Sequence, residues 1–204
     1  MLFAGQHDNV GLPSVRATPL EPVGGGVKRA LDIVVALGAL ILLLPLLLTV
    51  ALLVVVSIGR PILCRQTRIG FGGRPIGCYR FRTTKTLGGN APPTPLGVLL
   101  AQSGIDKLPQ LINVLKGEMS CVGPRPVGAE ELPQGSEVGP YLSARPGMTG
   151  TWQLGRCAPS RDEAAALDSA YIHNWSMQGD LIILLKTIPA VVRVDGSPRG
   201  HPMS

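Results

Sequence analysis

Between Ile33 and Ile58 the chain runs for 26 residues without one charged side chain. A helix of roughly 20 apolar residues is enough to cross the hydrocarbon of a bilayer. In lipid, a lone segment satisfies its own backbone hydrogen bonds only as a helix. Pro45 lies near the middle of this run. It cannot donate to the carbonyl of Ile41, and its ring clashes there, so a bend is expected. Each half is then about 18–20 Å long, short of the roughly 30 Å hydrocarbon thickness. Lys28 and Arg29 precede the run, and Arg60, Arg65 and Arg68 follow it. A spanning helix normally has its positive excess on one side. Matched basic flanks favour a re-entrant hairpin with both ends on the same side. A spanning helix kinked at Pro45 is the other reading, because membrane helices tolerate proline. The run is too long, and starts too late, for the apolar core of a secretory signal peptide.

The rest of the chain is read against this segment. Residues 1–26 are rich in Gly, Pro and polar side chains and are expected to be a disordered tail. Residues 27–59 form the membrane helix and 60–196 a cytosolic domain; 197–204 form a loose tail. Frequent Gly and Pro in the cytosolic part predict short elements and many loops.

The formal charge is +6, and its layout is uneven. No Asp or Glu occurs between Asp32 and Asp106, while Arg60, Arg65, Arg68, Arg74, Arg80, Arg82 and Lys85 all fall in that gap. Such a one-signed run suits anionic lipid headgroups or a phosphorylated substrate. It also serves as a flank that only sets topology. Nucleic acid is not an expected partner. The run holds few aromatics and no finger, basic-zipper or RNA-recognition signature. Cys64, Cys78, Cys121 and Cys157 match neither zinc spacing nor a redox pair, so reduced thiols are expected.

Residues 103–119 carry the chemistry-bearing candidate. Ile105, Leu108, Leu111, Ile112 and Leu115 recur at helical spacing. Asp106 occupies the N-cap position of the expected helix, Pro109 its first turn and Gly117 its stop. A carboxylate so placed stays ionised. It can attack phosphorus or bind Mg²⁺ through oxygen. It can equally be a plain helix cap. Downstream come two rigid turns, Gly123-Pro124-Arg125-Pro126 and Arg145-Pro146-Gly147-Met148-Thr149-Gly150, followed by Trp152, Gln153 and Arg156. Arginine suits bidentate phosphate contact. Asp168 and Asp180 read as helix caps. His173 reads as packing beside Tyr171 and Trp175. Glu118 reads as a solvated residue past the helix stop, or as a metal or substrate ligand.

Taken in order, these residues resemble the bacterial sugar transferases, the monotopic phosphoglycosyl transferases, and especially the branch that initiates exopolysaccharide repeat units. The resemblance runs from about Gly26 to Gly196. It comprises Lys28-Arg29-x-x-Asp32, Pro45, Arg68-Ile69-Gly70 and Arg80-Phe81-Arg82-Thr83. It continues through Leu108-Pro109-Gln110-Leu111-x-Asn113, Gly117-Glu118-Met119-Ser120 and Val122 to Pro126. Beyond these lie Arg145 to Gly150, Trp152-Gln153, Asp168-x-x-Tyr171, Asn174-Trp175-Ser176 and Asp180.

The resemblance implies an α/β fold, mostly helical with few short strands, anchored by a kinked re-entrant N-terminal helix. Lys28, Arg29, Asp32 and Pro45 would belong to that hairpin. Residues 60–196 would be the sugar transferase domain, on the cytosolic face of the inner membrane. The implied reaction moves sugar-1-phosphate from a nucleotide diphosphate sugar to polyprenyl phosphate through a covalent aspartyl-phosphosugar. Asp106 would be the nucleophile, with Lys107 beside it. Arg82, Arg125, Arg145, Arg156 and Gln110 would bind phosphate or substrate. Mg²⁺, held by Asp106, would neutralise the diphosphate. Pairing with a second copy, or with other polysaccharide-synthesis proteins, is also expected.

The chain departs from the family pattern around this one site. Lys107 replaces the Glu of the family's Asp-Glu pair. The family's Asp-x-Arg-x-Thr element reads Asn90-Ala91-Pro92-Pro93-Thr94, and Ala101 and Gly104 stand where the family has Arg and Ser. The segment between Arg82 and Asp106 is also short. The alternative function is therefore a catalytically impaired member with a regulatory or partner role in polysaccharide synthesis.

Overall fold

A computed structural model describes residues 21–86, 92–133, 136, 138–154 and 160–192. Both tails beyond 21 and 192, and Arg156, lie outside the described residues.

The fold is mostly helical with a few short strands. Helix α1 spans Gly25–Ser57. Strands β1 (Leu63–Ile69) and β2 (Pro75–Phe81) follow, then α2 (Pro95–Ser103). A 3-10 helix, Ile105–Gln110, leads into α3 (Leu111–Lys116) and β3 (Ser120–Val122). Next come α4 (Val138–Leu142), β4 (Gly147–Thr149), α5 (Arg161–His173) and α6 (Met177–Val192). β1 and β2 form an antiparallel hairpin, and β3 pairs with β4 in parallel.

The uncharged run is indeed one long helix, and its assignment continues through Pro45. The Thr49 hydroxyl donates to the Pro45 carbonyl at 2.9 Å. At 33 residues the helix would be about 50 Å long if straight. Its ends are buried and its middle is bare. Ala36 joins a core with Cys78, Leu111, Val114 and Met119. Val50 and Val54 join a second core with Phe81 and Leu100. Ile41, Leu42, Leu44 and Leu48 between them are all more than half exposed. Both ends of α1 therefore rest on clusters that share strand β2, through Cys78 and Phe81.

Three polar anchors fix the start of α1. Lys28 Nζ meets Asp180 Oδ2 at 2.5 Å in a buried pair, and also donates to the Tyr171 hydroxyl. Tyr171 and Trp175 both donate to Asp180 in turn. Arg29 donates to the carbonyls of Val114 and Leu115, the last turn of α3, where a cation complements the exposed carbonyls. Asp32 accepts from Ser120 Oγ and from the Cys121 amide, both at 2.9 Å. The basic motif before the apolar run is thus a lock onto α3, β3 and α6.

This corrects the reading of Asp180. It is fully buried and pairs with Lys28, and it does not act as a simple helix cap. His173 is corrected too. It is exposed, and its Nδ1 lies 2.8 Å from the Ser169 carbonyl of its own helix. Glu118 is half-buried and accepts from Asn113 Nδ2, so it is not simply solvated. Cys64, Cys78 and Cys121 are free thiols.

Candidate active site

The expected single helix over 106–117 splits in two. A 3-10 turn comes first, and the α-helix proper begins only at Leu111. Pro109 lacks the amide that an α-helical ladder needs there. Asp106 is consequently not an N-cap, and no amide holds it as one. It is 2% exposed, and its partner is Arg80 on β2. Arg80 Nε and Nη2 both reach Oδ2, at 3.0 and 2.5 Å. Oδ1 is buried with no hydrogen-bond partner among the described residues.

Arg80 is the residue that sequence reasoning passed over in favour of Arg82. Arg80 lies on β2, whereas Arg82 is the first residue past its end. Arg82 is buried, and its three nitrogens donate to the carbonyls of Arg60, Thr84 and Lys85. It fastens the loops around β2, which leaves its guanidinium committed to backbone and not open to phosphate. Gln110 is buried at the end of the 3-10 turn. Lys107, the residue after Asp106, is half-buried. Asn113 ties this segment to β2: its Oδ1 accepts from the Tyr79 amide and its Nδ2 donates to the Gly77 carbonyl. Nucleophile candidate and partner arginine are thereby held in register.

The two proline-flanked turns come together, as their rigidity alone did not reveal. Ser120 donates to Pro146, Gly123 to Thr149 and Gly147 to Pro124, each at 2.9 Å. The approach is backbone to backbone. A Cβ on Gly123 would lie 2.5 Å from the Arg145 carbonyl oxygen, so only glycine fits. The Arg125 amide donates to Asp168 Oδ2 at 3.0 Å. The Val127 amide donates to the Tyr141 hydroxyl, which donates to the Ile69 carbonyl. Asp168 therefore anchors the turn from the middle of α5 and does not cap a helix. Its other oxygen is buried and unpartnered among the described residues. Burial pushes its carboxyl up to about 7, against the opposing pull of the Arg125 amide and charge. Arg145 is half-buried; burial, then the neighbouring charge of Arg29, lowers its pKa, and Asp32 opposes them.

The donor set can be tested for Mg²⁺. No group of three His, Cys, Asp or Glu capable of holding a metal occurs among the described residues. The bare Oδ1 of Asp106 is a hard oxygen donor of the kind Mg²⁺ takes. One carboxylate together with substrate phosphates is a common Mg²⁺ arrangement, so the site fits an ion brought with its substrate.

Residues 24–194 match the family model described as bacterial sugar transferase. The chain is 40% identical to the exopolysaccharide production protein ExoY of Sinorhizobium fredii, over 87% of this chain and 91% of that one. It is 36% identical to the UDP-glucose:undecaprenyl-phosphate glucose-1-phosphate transferase of Caulobacter vibrioides, over 91% and 79% respectively. It is also 36% identical to the undecaprenyl-phosphate galactose phosphotransferase of Salmonella typhimurium, over 84% of this chain and 41% of that protein. With the family model covering nearly every described element, the chain belongs to the bacterial sugar transferase family.

Proposed function

We propose that this protein transfers sugar-1-phosphate from a nucleotide diphosphate sugar to a polyprenyl phosphate, the first step of an exopolysaccharide repeat unit. The observation that carries this is the Asp106 carboxylate: buried, gripped through one oxygen, and bare at the other. The names of the relatives point to the same substrates.

In this reading Oδ1 attacks the sugar-bearing phosphorus. A P–O bond forms to Asp106 while the bond to the bridging oxygen breaks, and nucleoside monophosphate leaves with that electron pair. An oxygen of polyprenyl phosphate then attacks the same phosphorus, and the Asp106 carboxylate is expelled. Arg80 holds Asp106 in orientation through Oδ2. Arg125, on its rigid turn, meets phosphate oxygens. Mg²⁺, held by Asp106 and the substrate, would supply charge neutralisation.

The apolar middle of α1 lies in the bilayer of the inner membrane, with the domain on the cytosolic face. Support for a re-entrant path comes from the two ends of α1, which rest on clusters sharing one strand. Ends on opposite membrane faces would not share it.

The test is release of nucleoside monophosphate by purified protein given sugar nucleotide and polyprenyl phosphate, with intact mass used to find a phosphosugar adduct. Asp106→Asn should abolish both. Lys107 favours a second reading, a member that no longer turns over and partners an active relative. Absence of release across several sugar nucleotides, restored by Lys107→Glu, would establish that reading instead.

A further inference from the structure

Among the described residues, the contacts that hold the Pro124-Arg125-Pro126 turn do not titrate near neutral pH, with one exception. Gly123 and Pro124 are knitted to β4, and Val127 is held by Tyr141 and Ile69. The Arg125 amide alone is held by a carboxylate, Asp168. That carboxylate is 6% exposed, and its Oδ1 meets no donor among the described residues. Among the described residues, the charged and titratable groups around it are Arg125 on the turn and Tyr141 on α4.

Resting on the reading that Arg125 binds substrate phosphate, we infer that Asp168 is a positioning residue whose protonation state sets how firmly the Arg125 turn is held. An ionised acceptor makes a hydrogen bond about twice as strong as a neutral one. When Asp168 is ionised, the Arg125 peptide is fixed and the guanidinium is presented in one orientation. When Asp168 takes up a proton, the anchor weakens and the guanidinium is presented less well. The side chain itself never touches the reacting atoms. Burial brings its titration to about 7, where the cell works.

The experiment measures KM and kcat for a UDP-sugar donor between pH 6 and 8.5, in wild type, Asp168→Asn, Asp168→Ala and Arg125→Ala. Asparagine retains an oxygen that accepts from the Arg125 amide but does not titrate. Wild-type KM should rise about threefold to tenfold as pH falls through 7, with kcat changing less. Asp168→Asn should be flat over that range, close to the wild-type low-pH value. Asp168→Ala should show a raised KM at every pH. Infrared difference spectra provide a readout free of turnover: a carboxyl band titrating near 7 should vanish in Asp168→Asn. A KM inflection or carboxyl band that survives in Asp168→Asn overturns the inference, as does wild-type KM in Asp168→Ala. Wild-type KM in Arg125→Ala overturns the phosphate-binding role of Arg125 instead, so the two failures are told apart.

Discussion

Arg80 holds Asp106 by one oxygen only, with Nε and Nη2 converging on Oδ2 and no described residue on Oδ1. The usual fork places one N–H on each carboxylate oxygen. The arrangement here leaves a charged, buried oxygen unshared, a state costly to maintain without use.

Removing the guanidinium should damage both stability and chemistry. Arg80→Ala leaves an uncompensated buried carboxylate; because Arg80 is itself partly exposed, a loss of about 2–3 kcal/mol is expected. Turnover should fall about 100-fold or more. Arg80→Lys should recover part of the stability but little of the rate, since an ammonium lacks the fixed fork. Thermal unfolding and nucleoside monophosphate release measure the two separately.

The Lys28–Asp180 pair makes a different prediction. Lys28→Met should cost about 3–5 kcal/mol, because Asp180 stays fully buried without its cation. The double variant Lys28→Met/Asp180→Asn should be more stable than Lys28→Met alone. Denaturation midpoints in detergent decide this, and a double variant no better than the single would contradict it.

Gly147→Ala should separate the two turns. The added Cβ would collide with the Gly123 backbone, so a loss of about 3 kcal/mol or more is expected, along with activity. Gly139→Ala is the control. A Cβ there meets nothing within 4 Å, and the change should be neutral or mildly stabilising.

Asp168 should also make folding depend on pH. Its carboxyl stands near 7 when folded, against an ordinary value of 3.8. The native state then binds more protons than the unfolded state between those values, so stability falls as pH rises through that window. Well above 7 the penalty is complete, on the order of 4 kcal/mol. The stability difference between Asp168→Asn and wild type should therefore grow in favour of Asn from pH 4.5 to 8. Denaturant midpoints measured across that range test the sign.

Topology can be read directly. Glu21 and Arg60 flank α1 and are exposed. Cysteines placed at both positions in a chain lacking its native thiols should react with an impermeant reagent from the cytosolic side only. Labelling from opposite sides would rule out the hairpin.

Much of this architecture was legible in the sequence because strong local constraints wrote it there. An uncharged run can only be α1, Gly117 stops α3 as expected, and the prolines mark both turns. Pairings across the fold were not legible. Choosing Arg80 over Arg82 required knowing which of two arginines two positions apart meets the 105–110 turn. The roles of Asp168 and Asp180 depend on how α5 and α6 dock, which helical periodicity does not specify. The β3–β4 pair is three residues long on each side, too short for an alternation signal.

Strand β2 carries Cys78, Arg80 and Phe81 within four residues. The outer two contribute to the cores that receive the two ends of α1, and the middle one grips Asp106. Under the proposed function, with the apolar arm seated in lipid, that strand would work as a depth gauge. Oδ1 of Asp106 would be set at a constant altitude over the bilayer by a two-point mount, with no flexible tether between. A phosphate carried on a lipid then needs to find it only by moving in a plane.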